Sequence, residues 1–187
     1  MIVIGITGTL GAGKGTLVDY LVNERGMVHY SVRDYLIRQI EKQGLTLNRD
    51  SMTQVANELR AKHSPAFIIE ELYAEAILCG KSAIIESIRT PGEIDFLKKQ
   101  GNFLLVAVDA DPKIRYSRIT LRASETDHID YTTFLSNEKR EFTTSDPNKQ
   151  NLSKCIAMAD IVLNNNGNIN DLYSEFDAVV QQKGVQL

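Results

Sequence analysis

Residues 8–16, GTLGAGKGT, bring glycines, one lysine and a hydroxyl together at fixed spacing: Gly8, then Gly13 after four residues, followed by Lys14, Gly15 and Thr16. Glycines so placed permit positive φ and let successive backbone N–H groups converge on phosphate oxygens, and the lysine adds a point charge for the β- and γ-phosphates. The flanks fit the same chemistry. An apolar run, IVIGIT at 2–7, precedes the loop, and Leu17, Val18, Leu21 and Val22 follow at helical spacing up to Gly26, a helix-ending residue. A loop between strand and helix also gains the positive end of the helix. Gly8, Thr9, Leu10, Gly11, Ala12, Gly13, Lys14, Gly15, Thr16 and Leu17 are therefore the expected cradle of a nucleoside triphosphate, ATP, with Mg2+. Because Gly15 follows the lysine, the hydroxyl comes one position later than in the commonest form of this loop. Thr16 is expected to meet Mg2+ either directly or through water.

Phosphoryl transfer asks for positioning and for cations at the equatorial oxygens more than for covalent chemistry. Arg115, Arg118 and Arg122 are spaced i, i+3 and i+7 and share one face of a helix. Arg118 and Arg122 are expected to neutralise the transferring group, whereas Arg115 is as readily a solvated basic side chain. Glu86 ends an apolar run on the side where the loop opens, the place for an acid that organises Mg2+-bound water or the acceptor; a helix cap or an ion pair is the plainer alternative. Arg89, three residues on, is placed to hold an acceptor's phosphate. Arg33, Arg38 and Arg60 could bind an anionic acceptor or simply face solvent. Ser31 and Asp34 have capping-box spacing, with Ser31 as the cap. His29, His63 and His128 lack metal-ligand spacing, so no structural zinc is expected.

These residues need a scaffold, and the chain has the length for one domain. Its 187 residues are 43% apolar, enough for a sizeable core, and the net charge of −3 gives no general basic field for nucleic acid or an anionic membrane. Any anion site must be local. Cys79 and Cys155 form no motif and are expected as reduced thiols in a cytoplasmic protein, NLS at Asn151 is a chance glycosylation match, and neither a signal-peptide pattern nor a membrane-length apolar run occurs. Short apolar runs at 2–7, 82–88, 103–108 and 160–164, with a weaker one at 27–30, have the character of parallel strands covered on both faces. Helical patterns lie between them, including TPGE at 90–93 with a Thr90 cap and DP at 111–112. Three helices at 34–43, 51–62 and 65–79 make the connection between the second and third strands too long for a simple crossover. An acceptor-binding insertion is therefore expected at about 31–80, and a short lid at about 119–130, where ITLRASETDHID loses its apolar periodicity. The β-α-β order gives one doubly wound α/β domain over 1–187.

Several stretches resemble one enzyme class. GAGKGT is similar to the loop of adenylate kinases and other nucleoside monophosphate kinases. YSVRDYLIRQ resembles their Ser/Thr-x-x-Asp helix start, although Arg38 comes four residues after Asp34 instead of three. IIESIRTPGE resembles their acidic strand end and substrate-binding arginine, with Glu86 for the usual Asp, Ser87 for a glycine, and Arg89 three residues on. ADIVLNNNGNINDLYSEF is similar to the last strand and helix of dephospho-CoA kinases, and to an uncharacterised family of dephospho-CoA-kinase-like ATPases that also carries ELR…P, IR…E and VAVDA patterns. The likeness covers most of the chain. It implies a P-loop NTPase fold, three layers α/β/α around a five-stranded parallel sheet, in a monomer or homodimer using ATP and Mg2+. It further implies Lys14 at the β/γ-phosphates, Thr16 and Glu86 at the metal, Glu86 in catalysis, and Asp34, Arg38 and Arg89 at the acceptor; Arg118 and Arg122 in catalysis and Arg33 and Arg60 at the acceptor stay expectations from their spacing and position. That acceptor would be a nucleoside or deoxynucleoside monophosphate or dephospho-CoA. The alternative is a nucleotide switch acting through a protein partner; the Asn/Thr-Lys-x-Asp motif that would favour a GTPase switch is missing from the sequence.

Overall fold

Strand β1 (Val3–Gly8) is buried at every position and has a parallel neighbour on each side, as befits the strand that delivers the glycine loop. The computed structural model describes residues 1–122 and 129–187. After β1 come α1 (Lys14–Arg25), β2 (Val28–Ser31), α2 (Val32–Lys42), α3 (Arg49–Lys62), α4 (Phe67–Cys79), β3 (Ala83–Glu86) and α5 (Pro91–Lys99). Then follow β4 (Phe103–Asp109), α6 (Pro112–Arg122), α7 (Tyr131–Phe142), α8 (Leu152–Ala157), β5 (Ile161–Asn164) and α9 (Ile169–Gln182). The strands form one parallel sheet in the order β2-β3-β1-β4-β5.

Period-two side-chain alternation gives the sheet two apolar faces. Ile4, Ile6, Ile84 and Val106 pack with Leu17 and Leu21 of α1 and Leu172 and Phe176 of α9. Val3, Ile85 and Leu105 pack on the opposite side with Val32 and Leu36 of α2, Val55 and Ala56 of α3, Ile69 and Leu72 of α4, and Ile94 and Leu97 of α5. The result is the three-layer α/β/α arrangement with a helical insertion between β2 and β3. Register brings Ile6 beside Glu86, Ser31 beside Glu86 and Gly8 beside Val108, so the carboxyl ends of the central strands open on one edge.

Local signals set most of the boundaries. Gly26 closes α1 in the left-handed region (φ 64°) and donates its N–H to Val22 O at 3.1 Å. Ser31 Oγ accepts from Asp34 N at 3.1 Å, so capping is its role, and α2 begins at Val32. Thr90 and Glu93 form the capping box of α5, with Pro91 at the first turn. Helices α7 and α8 are not foreshadowed by an apolar stripe: Phe134 is the only buried apolar residue of α7, and α8 is six residues long. Of the expected lid, residues 119–122 are the last turn of α6, residues 123–128, including His128, lie outside the described residues, and 129–130 lead into α7.

Candidate active site

Three loop glycines are required by the protein itself; at Gly11, with φ 78°, a Cβ would lie 2.5 Å from Arg115 O. Gly8 has φ 136° and a Cβ there would lie 2.0 Å from Val108 O; Gly13 has φ 99° and a Cβ there would lie 2.1 Å from Asn165 Nδ2. Gly15 differs: a Cβ would meet nothing within 4 Å, so its missing side chain leaves room on the cleft side. The loop is held from behind. Asn165, just after β5, donates Nδ2 to Ala12 O at 2.8 Å, and Arg115 of α6 donates Nη1 to Leu10 O at 3.3 Å and Nε to Ala110 O at 2.7 Å. Because C=O and N–H of a trans peptide point oppositely, these contacts turn the N–H groups of Gly11 and Gly13 the other way. Arg115 also pairs with Glu138 of α7 and lies over the Phe134 ring. At 3% exposure it is a brace of the loop, which corrects the reading of it as a solvated basic side chain.

Lys14 is 8% exposed and donates Nζ to Gly8 O at 3.2 Å and Thr9 O at 2.9 Å. Burial, with help from the Arg89 and Arg122 charges and against Glu86 and Glu141, lowers its pKa to about 7. Thr9 in turn donates Oγ1 to Asp109 Oδ1 at 2.6 Å. Above the loop lies an open cleft of about 980 Å³, lined by the loop, Thr16, Glu86, Arg118, Arg122 and the start of α9 at Asn168 and Ile169. Arg118 Nη1 is buried there without a hydrogen-bond partner among the described residues. Glu86 Oε2 lies 3.4 Å from His29 Nε2. Burial pushes the Glu86 carboxyl up, but the hydrogen bond from His29 and the Lys14, His29 and Arg89 charges outweigh it and hold it below the usual range. An ionised carboxylate and the Thr16 hydroxyl on one cleft are a donor set suited to Mg2+.

A second cavity, about 170 Å³, lies between the sheet edge and the insertion. Lys14, Glu86 and Arg122 line both spaces. The smaller one adds Arg33 and Leu36 of α2, Arg49, Met52, Ala56 and Arg60 of α3, then Ser87, Arg89, Glu141 and Gln150. Ser87 adopts φ 70°, a left-handed conformation at the position where the resembled kinases have glycine. Arg60 is not a surface cation: its side chain is 1% exposed, and Nε and Nη2 reach Glu93 Oε1 at 3.1 and 2.8 Å. Glu93 Oε2 accepts from Arg89 N at 2.7 Å and Thr90 N at 2.9 Å, which fixes the turn carrying Arg89. Glu141 of α7 takes Arg49 Nη2 at 2.7 Å and Arg89 Nη1 at 3.3 Å.

Expected acceptor residues thus divide. Arg33, Arg60 and Arg89 line the cavity, with Arg33 Nη1 3.9 Å from Met52 Sδ. Asp34 and Arg38 are not brought to it: both are exposed, and Arg38 lies 3.8 Å from Glu75 and over the Tyr35 ring. Four residues the sequence did not single out belong to the site. Arg49, Glu141, Gln150 and Asn165 sit in polar stretches whose local signal is only a helix start, a helix end or a loop, and long-range packing brings them together.

A family model described as an AAA domain matches residues 4–144. A UPF0200 protein of Methanococcus maripaludis strain C7 is 31% identical over 180 residues, covering 95% of this chain and 94% of the relative. Among solved structures, shikimate kinase from Bacteroides thetaiotaomicron covers 98% of this chain and 99% of its own at TM-score 0.58 and 13% identity. A gluconokinase from Sinorhizobium meliloti covers 97% and 93% at TM-score 0.59 and 15% identity. These neighbours share the P-loop kinase-like fold. The chain therefore belongs to the AAA-domain family whose model it matches and, by its alignment with that relative, to the UPF0200 family.

Proposed function

We propose that this protein is an ATP-dependent phosphotransferase acting on a small anionic acceptor. The observation that carries this reading is the pair of spaces with common walls: Lys14, Glu86 and Arg122 face both the cleft over the glycine loop and the cavity against the insertion. A donor nucleotide in the first and an acceptor in the second would meet at those three residues. Loop N–H groups and Lys14 bind the β- and γ-phosphates, and Arg118 and Arg122 face the oxygens that gain charge as transfer proceeds. An acceptor oxygen attacks the γ-phosphorus, the bond to the β,γ-bridging oxygen breaks, ADP leaves, and Glu86 takes the proton if the acceptor is a hydroxyl. Thr16 and Glu86, directly or through water, would hold Mg2+, which screens phosphate charge and orients the chain of phosphates. Arg33, Arg60 and Arg89 serve the acceptor. Two free thiols, Cys79 and Cys155, accord with a cytoplasmic setting.

The sequence resemblance points to nucleoside monophosphates and dephospho-CoA as acceptors; gluconate and shikimate enter through the names of the structural neighbours. The test is a panel of AMP, CMP, UMP, GMP, their deoxy forms, dephospho-CoA, gluconate and shikimate with Mg2+ and γ-labelled ATP. Label in one acceptor, with ATP consumed much faster than with water alone, is the expected result. Tight ATP binding with no label transferred, and recruitment of a protein partner only in the ATP state, would replace the kinase with a nucleotide switch.

A further inference from the structure

Helix α3 presents Arg49, Met52, Thr53, Ala56 and Arg60 to the smaller cavity, positions i, i+3, i+4, i+7 and i+11 of one helix face. An arginine therefore stands at each end of a short, partly apolar wall. Each is gripped by a protein carboxylate that leaves a donor over. Arg60 uses Nε and Nη2 on Glu93, and its Nη1 is buried with no hydrogen-bond partner among the described residues. Arg49 uses Nη2 on Glu141, and its Nε is buried in the same condition. A buried N–H of a charged group without an acceptor carries its full desolvation cost, a cost that oxygen atoms brought to this wall would relieve.

Charge and size narrow the ligand. Arg49 and Arg89 share the single carboxylate of Glu141, two guanidinium groups on one negative charge, which leaves a positive charge for an acid to meet. The cavity is about 170 Å³ against about 980 Å³ for the cleft over the loop. Pockets that enclose drug-sized ligands run to roughly 300–1,000 Å³, so a nucleotide matches the cleft and exceeds the cavity. Resting on the phosphotransferase reading, we propose that the cavity takes a compact oxygen-rich acid. It is no larger than one sugar ring bearing a carboxylate or phosphate, with its acid group on Arg49 and Arg89 and a distal oxygen accepting from Arg60.

The test follows the arginine side-chain N–H signals of the full chain by NMR, in the presence of Mg2+ and a non-hydrolysable ATP analogue. The probes are gluconate and shikimate as carboxylates, ribose 5-phosphate and glycerol 3-phosphate as phosphates, inositol as a neutral polyol, and AMP, CMP and dephospho-CoA. At least one compact acid is expected to shift the Arg49 and Arg60 signals saturably below about 1 mM, with inositol silent; the class of that acid identifies the headgroup. Arg49→Gln should weaken binding at least tenfold. Since Arg60 substitutions endanger the fold, Thr53→Leu, which fills the cavity from the same helix face, should abolish binding while the ATP analogue still binds. Tighter binding of AMP, CMP or dephospho-CoA with displacement of the acids, no shift by any compact acid up to about 10 mM, or unchanged affinity in both variants overturns the proposal. The fate of the broader reading is read separately with γ-labelled ATP. Label passing to a nucleotide removes the compact acid and keeps the kinase, whereas ATP turnover at one rate whatever is added removes the kinase.

Discussion

Lys14 gives its hydrogen bonds to the loop carbonyls of Gly8 and Thr9, and burial sets its pKa at about 7. A bound triphosphate would add negative charge beside the amine and raise that pKa. Below about pH 7 the lysine is charged with or without nucleotide, and binding moves no proton; above it the free protein holds a neutral amine that must be protonated in the complex. Nucleotide binding should therefore take up close to one proton at about pH 8, and affinity should fall as pH rises beyond about 7. Calorimetry in two buffers of different ionisation heat measures the uptake, and a value of zero would contradict the shift. Lys14→Ala should lower phosphoryl transfer by about 100- to 1,000-fold, as loss of one charge partner of the transition state does. Its circular dichroism should match the parent, because the side chain bonds only to its own loop.

The turn between β3 and α5 joins strain to a buried ion pair. Ser87 at φ 70° holds a conformation that costs a side chain about 1 kcal/mol or more, and glycine adopts it freely. Ser87→Gly should raise stability by about 1 kcal/mol in urea unfolding. Six residues later, Glu93 fastens the Arg89 and Thr90 N–H groups with one oxygen and Arg60 with the other, at 0% exposure. Removing one partner of such a pair leaves a buried charge uncompensated, so Arg60→Ala should destabilise by roughly 3–5 kcal/mol. A loss below about 1 kcal/mol would mean that Glu93 relaxes onto other partners or takes up a proton. Arg60 and Glu93 thus position the turn that carries Arg89, whatever the acceptor.

At the scale of the molecule, the helices after β4 reach back over both spaces. Arg115 ties α6 to the glycine loop and, through Glu138, to α7, while Glu141 at the far end of α7 is ion-paired with Arg49 of the insertion and with Arg89. The α6–α7 pair therefore bridges the glycine loop and the wall of the smaller cavity. Arg122, exposed at the last turn of α6, faces both spaces, and under the proposed function it meets the phosphoryl group in transfer. Arg122→Ala should then lower kcat more than it weakens ATP binding, the mark of an interaction made mainly in the transition state. An unchanged kcat with a raised ATP Kd would make Arg122 a binding residue only.

Local rules suffice for the glycine loop, its strand and helix, the alternation that builds the sheet, and the three insertion helices. Apolar period, capping residues and glycine positions act within a few residues, and Val28–Ser31, Arg49–Lys62 and Phe103–Asp109 lie within two residues of the stretches read from them. Residue type and spacing also single out Lys14, Glu86, Arg89, Arg118 and Arg122, which the fold brings to the two spaces. Long-range packing separates the arginines that are anchored from those that turn outward. Arg38 and Arg60 look alike in sequence, yet one lies on the outer face of α2 beside Glu75 and the other is buried on Glu93. Glu141 and Asn165 could not be found by pattern, since their partners lie 92 and 153 residues away. A charged side chain acquires its role from whichever counter-charge the packing delivers, and that delivery depends on long-range contacts that leave no local period in the chain.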